Sequence, residues 1–247
     1  MRSGYLVLEA KRALRNPRFL VFTIVLPVVI FYIDVAAFGG AHANVPGTSI
    51  SYAAYLLASM AAFGAFMATL NTGARTAVER STGWQRQLRL TPLSAPGYLL
   101  AKGTVSMIVA LPPIVLVALF GALAEDVQMP ATSWLQVVAG IWLASLPFAA
   151  LGLLVGQLAT ADTLQVYTSG LMIILGFLGG ILIPTTVFPA WMNNVAQVLP
   201  SYWLADVGHG AVLGNHDIGR AVLVLGIWTV VLGVAVMRRY RRDSARV

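Results

Sequence analysis

Six long apolar stretches, separated by short polar intervals, constrain this chain more than any other feature of its sequence. Each is close to the roughly 20 residues that a helix needs to cross about 30 Å of hydrocarbon. Backbone amides in hydrocarbon must be paired within the segment, which favours helices over irregular structure. The sequence therefore predicts six membrane-spanning helices, at about residues 19–38, 52–73, 99–123, 134–158, 164–183 and 220–237.

Composition places the chain in the membrane class. Hydrophobic residues make up 58% of it and charged residues only 10%, which argues against a soluble protein. The formal charge of +7 would suggest nucleic acid if it covered one soluble face, but the basic residues cluster between apolar stretches. We expect an all-α polytopic membrane protein, with residues 1–247 forming a single transmembrane domain.

The distribution of basic residues predicts the orientation of the spans. If both termini are cytoplasmic, 15 of the 16 Lys and Arg residues fall on the cytoplasmic side, and Arg220 lies outside. Such an excess is the pattern of the positive-inside rule. The chain is therefore expected to be a multi-pass protein of the cytoplasmic (inner) membrane.

Two further helical segments are expected outside the spans. Residues 5–15 mix leucines with charged side chains, a pattern typical of an amphipathic helix at the membrane interface, and Asn16-Pro17 should end it. Residues 184–219 are apolar but interrupted by prolines and rich in Trp, Tyr and Asn. Because irregular backbone cannot face lipid, we interpret them as an extracellular re-entrant helical hairpin between spans five and six.

The longest polar interval, residues 79–93 within a loop at 75–98, is the candidate site for a soluble partner. It is long enough for about two helical turns. Trp84 and Leu88 offer apolar contacts, and Arg80 offers a charge for a partner's carboxylates. The alternative is a solvated loop without a partner.

Sequence motifs for catalysis or metal binding are not found. The chain holds no cysteine, GxxxxGK[ST], GxGxxG or HExxH. His209 and His216, near Asp206 and Asp217, have a separation that fits no common metal site. A hydrolase based on Ser201, Asp206 and His209 would need a nucleophile elbow, which the sequence around Ser201 does not resemble. We therefore expect no catalytic residue, metal or cofactor in this chain.

Uphill transport needs either an ion-coupling residue within the membrane or an external energy source. Asp34 is the only acidic candidate inside a span, at its outer end, where it either reaches water or lines a translocation path. This scarcity favours an external ATPase. A secondary transporter or channel is the alternative, and an interfacial membrane enzyme is a weaker one.

The central stretch resembles the cytoplasmic signature of type-2 ATP-binding-cassette (ABC) transporter permeases, including daunorubicin-resistance-like drug exporters. The matching residues are Glu79-Arg80, Gly83, Leu88 and Thr91-Pro92-Leu93, with Lys102 opening the next helix. Arg15-Asn16-Pro17 before a span with Pro27, and Phe188-Pro189 with Leu199-Pro200, are similar to other parts of that family. The chain departs from the pattern at Ser81, where a second acidic residue is common, so Glu79 is the only carboxylate of the loop.

This resemblance implies the permease subunit of an ABC exporter, moving a hydrophobic or amphipathic drug, peptide or lipid-like molecule. ATP and Mg would be bound by a separate ATP-binding subunit, and a second permease copy would complete a homodimer or heterodimer. The residues implied to form the coupling helix are Glu79, Arg80, Gly83, Trp84, Leu88, Thr91 and Pro92. Glu79 would either orient that helix or pair with a basic residue of the ATPase.

Overall fold

The computed structural model describes residues 3–15, 21–37, 44–45, 50–83, 95–214 and 217–244. In chain order its helices are α1 Ser3–Leu14, α2 Val21–Ala37, α3 Tyr52–Ser81, α4 Ala95–Ala124, α5 Ala131–Leu158, α6 Leu164–Leu178, α7 Ala190–Ala196, α8 Pro200–Leu213 and α9 Ile218–Ser244. Within these ranges, strand-like pairing is limited to one bridge between Asn44 and Ser51. The predicted all-α class is confirmed.

Four of these helices, α3, α4, α5 and α9, are long and apolar enough to cross a bilayer. They coincide with the second, third, fourth and sixth predicted spans. The first and fifth predicted spans coincide with α2 and α6, which are apolar but shorter. The total of six spans therefore stays a prediction.

Helix α3 is the centre of the bundle. In its most apolar stretch 94% of the residues are buried, whereas the corresponding figure for α9 is 17%. Helices α4 and α5 cover most of α3, and α2 and α8 pack on it as well. The Phe66 ring of α3 meets the Phe148 ring of α5 edge to face, with centroids 4.7 Å apart. Helix α9 lies at the periphery and presents its apolar side chains outward.

Glycines allow α5 to approach α3 closely. A Cβ on Gly152 would lie 2.3 Å from the carbonyl oxygen of Leu70, and a Cβ on Gly156 would lie 1.9 Å from Thr76 Oγ1. This pair has the GxxxG spacing that brings membrane helices together. Gly176 and Gly180 have the same spacing, but Gly180 has φ +76° and lies just after α6 ends. The second pair therefore belongs to a helix end.

Prolines affect the helices at two places, inside α2 and at the start of α4. Pro27 lies inside the first predicted span, and the helix changes its winding just before it, in a π-helical turn at Val21–Val25. A proline lacks the amide that would pair with the carbonyl of residue 23, so the helix adjusts one turn earlier. The third span is predicted to begin at about residue 99, but α4 begins earlier, at Ala95, and Pro96 occupies its first turn. A proline is tolerated there.

The segment predicted as a hairpin is helical. It contains a 3-10 turn at Thr185–Val187, then α7 and α8, and ends at Gly214 with φ +67°. Leu204 and Ala205 of α8 are buried in the main core. The Trp203 indole donates a hydrogen bond to the carbonyl of Gln197, 2.8 Å away, which joins α8 to the connection before it. Its re-entrant geometry and its extracellular side stay predictions.

Two ends of the bundle are distinguished below. The basic end contains the C-terminal ends of α3, α5 and α9 and the N-terminal end of α4, with α1 packed against α4. The opposite end contains the N-terminal end of α3 and helix α8. Nearly all described basic residues lie toward the basic end, in agreement with the charge pattern of the sequence.

Candidate functional site

Helix α3 is interrupted at Arg75 before its last turns. Its two parts, Tyr52–Ala74 and Thr76–Ser81, are separated by a turn at Arg75. Thr76 Oγ1 donates a hydrogen bond to the carbonyl of Gly73 at 2.9 Å, which stabilises the break. The short second part carries Glu79 and Arg80, and both side chains contact other helices.

Three charged side chains from three helices meet beyond this break, and we call Glu9, Lys102 and Glu79 the ion triad. Lys102 Nζ of α4 lies 2.7 Å from Glu9 Oε2 of α1 and 2.5 Å from Glu79 Oε1 of α3. The side chains of Lys102 and Glu9 are 5% and 6% exposed, and that of Glu79 is 14% exposed. Charges this deeply buried are stable only when paired, so each member depends on the others.

A tyrosine extends the ion triad toward α9. The Tyr98 hydroxyl donates a hydrogen bond to Glu79 Oε2 at 3.0 Å, and Lys102 Nζ lies 5.8 Å from the centroid of the same ring. The Tyr98 ring in turn contacts Tyr240, with centroids 5.8 Å apart. Helices α1, α3, α4 and α9 are therefore joined around one lysine.

The ion triad borders a chamber of about 80 Å³ that is also lined by Arg12, Arg75 and Thr72. Glu9 Oε1 and Thr72 Oγ1 are buried and accept or donate no hydrogen bond within the described ranges. A chamber of this size admits water, the ordinary partner of such atoms. Among the described residues that line it, three side chains are cationic and two are anionic, an excess of one positive charge.

Arg80 binds the end of a different helix. Its Nη1 donates hydrogen bonds to the carbonyl of Gly156, at 3.0 Å, and to that of Gln157. These carbonyls belong to the last turn of α5, where the helix itself supplies no donor. A cation at a helix C-terminus also interacts favourably with the helix dipole. Arg80 therefore ties the short part of α3 to α5.

The remaining predicted coupling residues divide into two groups. Gly83 has φ +74° and its amide donates to the carbonyl of Arg80 at 3.2 Å, so it ends the short helix in the way that glycine commonly does. Trp84, Leu88, Thr91 and Pro92 lie outside the described residues. The partner-docking role expected of them stays a prediction.

Glu9 and Tyr98 were missed by the reasoning from sequence. From the sequence, Glu9 is one of the ordinary charges of the amphipathic helix α1, although it is the only acidic residue in that helix. Tyr98 precedes Lys102 by one helical turn, and that spacing places both side chains on the same face of α4. A lone carboxylate in a basic helix was the available signal for a buried ion pair.

The residues considered for hydrolysis or metal binding do not come together as one site. His209 Nε2 lies 2.7 Å from Ser59 Oγ, and its ring stacks on Tyr55 at 3.9 Å. Ser201 is instead buried beside Gly179, with no hydrogen bond to its Oγ within the described ranges. Where the structure is described, no three His, Asp, Glu or Cys side chains are grouped to hold a metal ion. His216 lies outside those ranges.

Asp34 is half-buried on α2, toward the opposite end of the bundle. Its charge is close enough to Tyr52, at the start of α3, to influence that side chain. It lies far from the ion triad and lines neither the small chamber nor the larger cavity described below. Its role in a translocation path remains a prediction.

Comparison with known proteins gives the same family from two directions. The sequence model of a protein family, described as "ABC-2 family transporter protein", matches residues 42–238. A protein of Bacillus subtilis (strain 168) with the name "Putative transport permease YvfS" is 31% identical over 222 residues, which cover 89% of this chain and 88% of that protein. The chain belongs to the ABC-2 family of transporter proteins.

Membership explains the composition and the helices together. The permease is a membrane protein, and its family works with ATP-binding subunits. The resemblance expected from Glu79-Arg80 and the residues after them is thereby confirmed at the level of the family. In this permease Glu79 and Arg80, the first two residues of that motif, connect α3 to α1, α4 and α5 at the basic end.

Proposed function

We propose that this permease is the transmembrane subunit of an ABC exporter, which moves a hydrophobic or amphipathic molecule across the cytoplasmic membrane. ATP and Mg bind to a separate subunit, and the permease contains no ATPase site of its own. Two permease copies, identical in the simplest case, form the transport unit. Both termini and the basic end face the cytoplasm, where the ATP-binding subunit docks.

The ion triad is the observation that carries this proposal. The loop at 75–98 begins at the break in α3, and its first acidic residue contacts α4 directly and α1 through Lys102. A displacement of the loop therefore cannot occur without moving Lys102, or separating it from Glu79. Separation would leave buried charges unpaired, at a cost of several kcal/mol. The helices consequently move as one unit when the loop is pushed.

Arg80 adds a second route for the same displacement. It donates hydrogen bonds to the carbonyls of Gly156 and Gln157 at the end of α5. Glu79 pairs with Lys102 of α4, which in turn pairs with Glu9 of α1. Two neighbouring residues thus connect the loop to both sides of the bundle. In this proposal Glu79 orients the coupling helix from within the permease, while Trp84 and Leu88 contact the ATP-binding subunit.

Helix α3 is suited to carry the displacement through the membrane. It is continuous from Tyr52 to Ala74, nearly fully buried, and packed against α2, α4, α5 and α8. A closely packed interior deforms little, so a displacement at one end of α3 is transmitted along the helix. We propose that ATP binding tilts spans one, two and five across the dimer axis and opens an outward path.

Site-directed crosslinking tests the docking side. The chain has no cysteine, so a single introduced thiol reports on one position. Thr82→Cys lies on an exposed residue beside the short helix, and Val187→Cys is a matched exposed position at the opposite end. Both variants would be labelled with a thiol-linked photocrosslinker in membranes that contain the ATP-binding subunit.

We expect Thr82→Cys to crosslink to the ATP-binding subunit, with a yield that changes on ATP addition, and Val187→Cys to give none. Equal crosslinking from both positions, or crosslinking from Val187→Cys alone, would contradict the proposed docking side. Transport that collapses with an ionophore and persists without ATP would instead indicate a secondary transporter. Asp34→Asn would then abolish it.

A further inference from the structure

A second, larger cavity lies beside the small chamber, between α2, α3 and α6. Its volume is about 450 Å³, within the range of small-molecule sites. Residues that define its character are Thr23 from α2, Met67, Asn71 and Arg75 from α3, and Thr168 and Met172 from α6. We call it the amphipathic cavity.

The amphipathic cavity has a charged end and an apolar end. The part of α3 that lines the cavity extends from Met67 to Arg75, a rise of about 12 Å. The lining part of α6 extends in the opposite direction, from Leu164 to Met172, over a similar length. Arg75 and Leu164 therefore lie at the basic end, and the two methionines lie deeper in the bundle. Methionine side chains are flexible and adapt to apolar ligands of varied shape.

The neutral polar groups of the lining are largely engaged by the protein itself. Asn71 Nδ2 donates to the carbonyl of Met67 at 2.9 Å and contacts Met172 Sδ at 3.5 Å. Thr168 Oγ1 donates to the carbonyl of Leu164 at 3.0 Å. A guanidinium, with five donors, has the capacity to hold more than one partner. Arg75 is the one charged side chain of the described lining, and we therefore assign the head of a ligand to it.

The charge of the lining favours an anionic ligand over a cationic one. The described lining of the amphipathic cavity contains Arg75 and no acidic side chain. Arg75 also borders the small chamber, where cationic side chains exceed carboxylates by one in the part of the lining that the structure describes. An anion next to Arg75 would balance that excess, whereas a cation would add to it.

We propose that the amphipathic cavity binds an amphipathic anion, with a carboxylate or phosphate head at Arg75 and an apolar chain along Met67 and Met172. This inference rests on the proposed export function and names the class of substrate. Guanidinium pairs well with both heads through charge-assisted hydrogen bonds. Quaternary ammonium compounds are excluded by the same charge. Because Arg75 borders both cavities, a bound head would lie next to the ion triad.

Photolabelling of the purified full chain tests this site without the ATP-binding subunit. The protein would be placed in phosphatidylcholine nanodiscs with a diazirine analogue of palmitic acid, or with an alkyl trimethylammonium probe of matched chain length. Labelled peptides would be identified by mass spectrometry. We expect the fatty acid to label the peptides that contain Met67 and Met172, and the ammonium probe to label them far less.

Two variants and a control separate charge from packing. Arg75→Gln should reduce fatty-acid labelling about tenfold, the effect of one lost charge-assisted contact. Ser169→Trp, which places a large ring at the half-buried lining of α6, should abolish it with Arg75 still present. Arg220→Gln removes the same charge near the opposite end and should change nothing. Unfolding temperature identifies any variant that fails to fold.

Equal labelling by both probes, or fatty-acid labelling that survives Ser169→Trp, would overturn the proposal. Phosphatidylglycerol added to the nanodiscs distinguishes the source of the anion. Suppression of labelling would mean that a lipid phosphate occupies Arg75, and no suppression would mean that the free amphiphile is preferred; either result retains an anionic head. Failure of this assay with intact crosslinking of Thr82→Cys would remove the cavity proposal and leave the exporter proposal standing.

Discussion

The two ends of helix α3 are held by different kinds of contact. At the basic end, Glu79 is paired with Lys102 at 2.5 Å in a buried cluster of ions. At the opposite end, Ser59 Oγ meets His209 Nε2 at 2.7 Å, and the Tyr55 ring stacks on the same histidine. The first contact joins formal charges, whereas the second joins groups that are neutral near pH 7.

This difference bears on what each end can do. A buried charge that loses its partner destabilises the fold strongly, whereas a lost neutral hydrogen bond costs about 1 kcal/mol. Ions therefore hold their relative positions while the helices move, which suits a region that transmits force. The neutral end separates at a lower cost, which suits a region that opens.

Lys102→Met should give the largest effect. The change leaves the carboxylates of Glu9 and Glu79 buried without their cation, so we expect a loss of about 3–5 kcal/mol in the free energy of unfolding. Thermal unfolding in detergent measures it. Lys102→Arg keeps the charge and should lose much less. Similar unfolding temperatures for Lys102→Met and the parent protein would contradict the role of the ion triad.

Arg80→Gln should have the next largest effect. It removes the cation that binds the carbonyls of Gly156 and Gln157, and hydrogen bonds from charged groups contribute about 1.5–3 kcal/mol. We expect a lower unfolding temperature and faster hydrogen exchange in the last turn of α5. Arg220→Gln, the matched change near the opposite end, should leave that turn unchanged.

Gly156→Ala tests the close packing at the basic end. The added Cβ would lie 1.9 Å from Thr76 Oγ1, so α5 and α3 must separate, and overpacking of this kind costs about 1–3 kcal/mol. Gly233→Ala places a methyl in open space on α9 and should be neutral or slightly stabilising. Equal unfolding temperatures for the two variants would show that the contact with Thr76 relaxes freely.

His209 should give the smallest effect at pH 7, but one that depends on pH. Burial lowers the pKa of this imidazole from 6.5 to about 3, so the folded protein holds it neutral. The stability that it contributes is complete above about pH 6.5 and is lost as the pH falls toward 3. Between pH 7 and pH 5 we expect a loss of about 1–2 kcal/mol that His209→Gln does not show. Identical pH profiles for the two proteins would contradict a histidine that the fold keeps neutral.

The same comparison shows how far the sequence could predict this molecule. Hydropathy located every long apolar helix, because membrane spans need only length and apolar composition. The break at Arg75 and the early start of α4 at Ala95 were missed, since both depend on local contacts that no periodicity encodes. The resemblance to the permease family singled out Glu79 and Arg80, and membership of that family is confirmed.

The partners of those two residues were beyond the reach of sequence. Glu9 lies 93 positions before Lys102, and a carboxylate in an amphipathic helix is usually solvated. Arg80 binds backbone carbonyls of α5, and a backbone acceptor has no signal in the sequence. The sequence suggests His209 only for metal binding or hydrolysis, although a half-buried imidazole is more often satisfied by a neighbour such as Ser59.

The central claim, that the ion triad couples the loop at 75–98 to the bundle, is tested most directly with Glu79→Gln. This nearly isosteric change leaves Lys102 paired with Glu9 at 2.7 Å, so folding should be largely preserved. Glu125→Gln, the same substitution at the opposite end, is the control. Both variants would be reconstituted with the ATP-binding subunit in proteoliposomes, and ATP hydrolysis and transport of an amphipathic anion measured together.

For Glu79→Gln we predict that the ATP-binding subunit still associates and hydrolyses ATP, while transport per ATP falls about tenfold, the loss of about 1.4 kcal/mol of coupling. Glu125→Gln should keep the parent ratio. An unchanged ratio of transport to hydrolysis in Glu79→Gln, with normal association, would contradict the account.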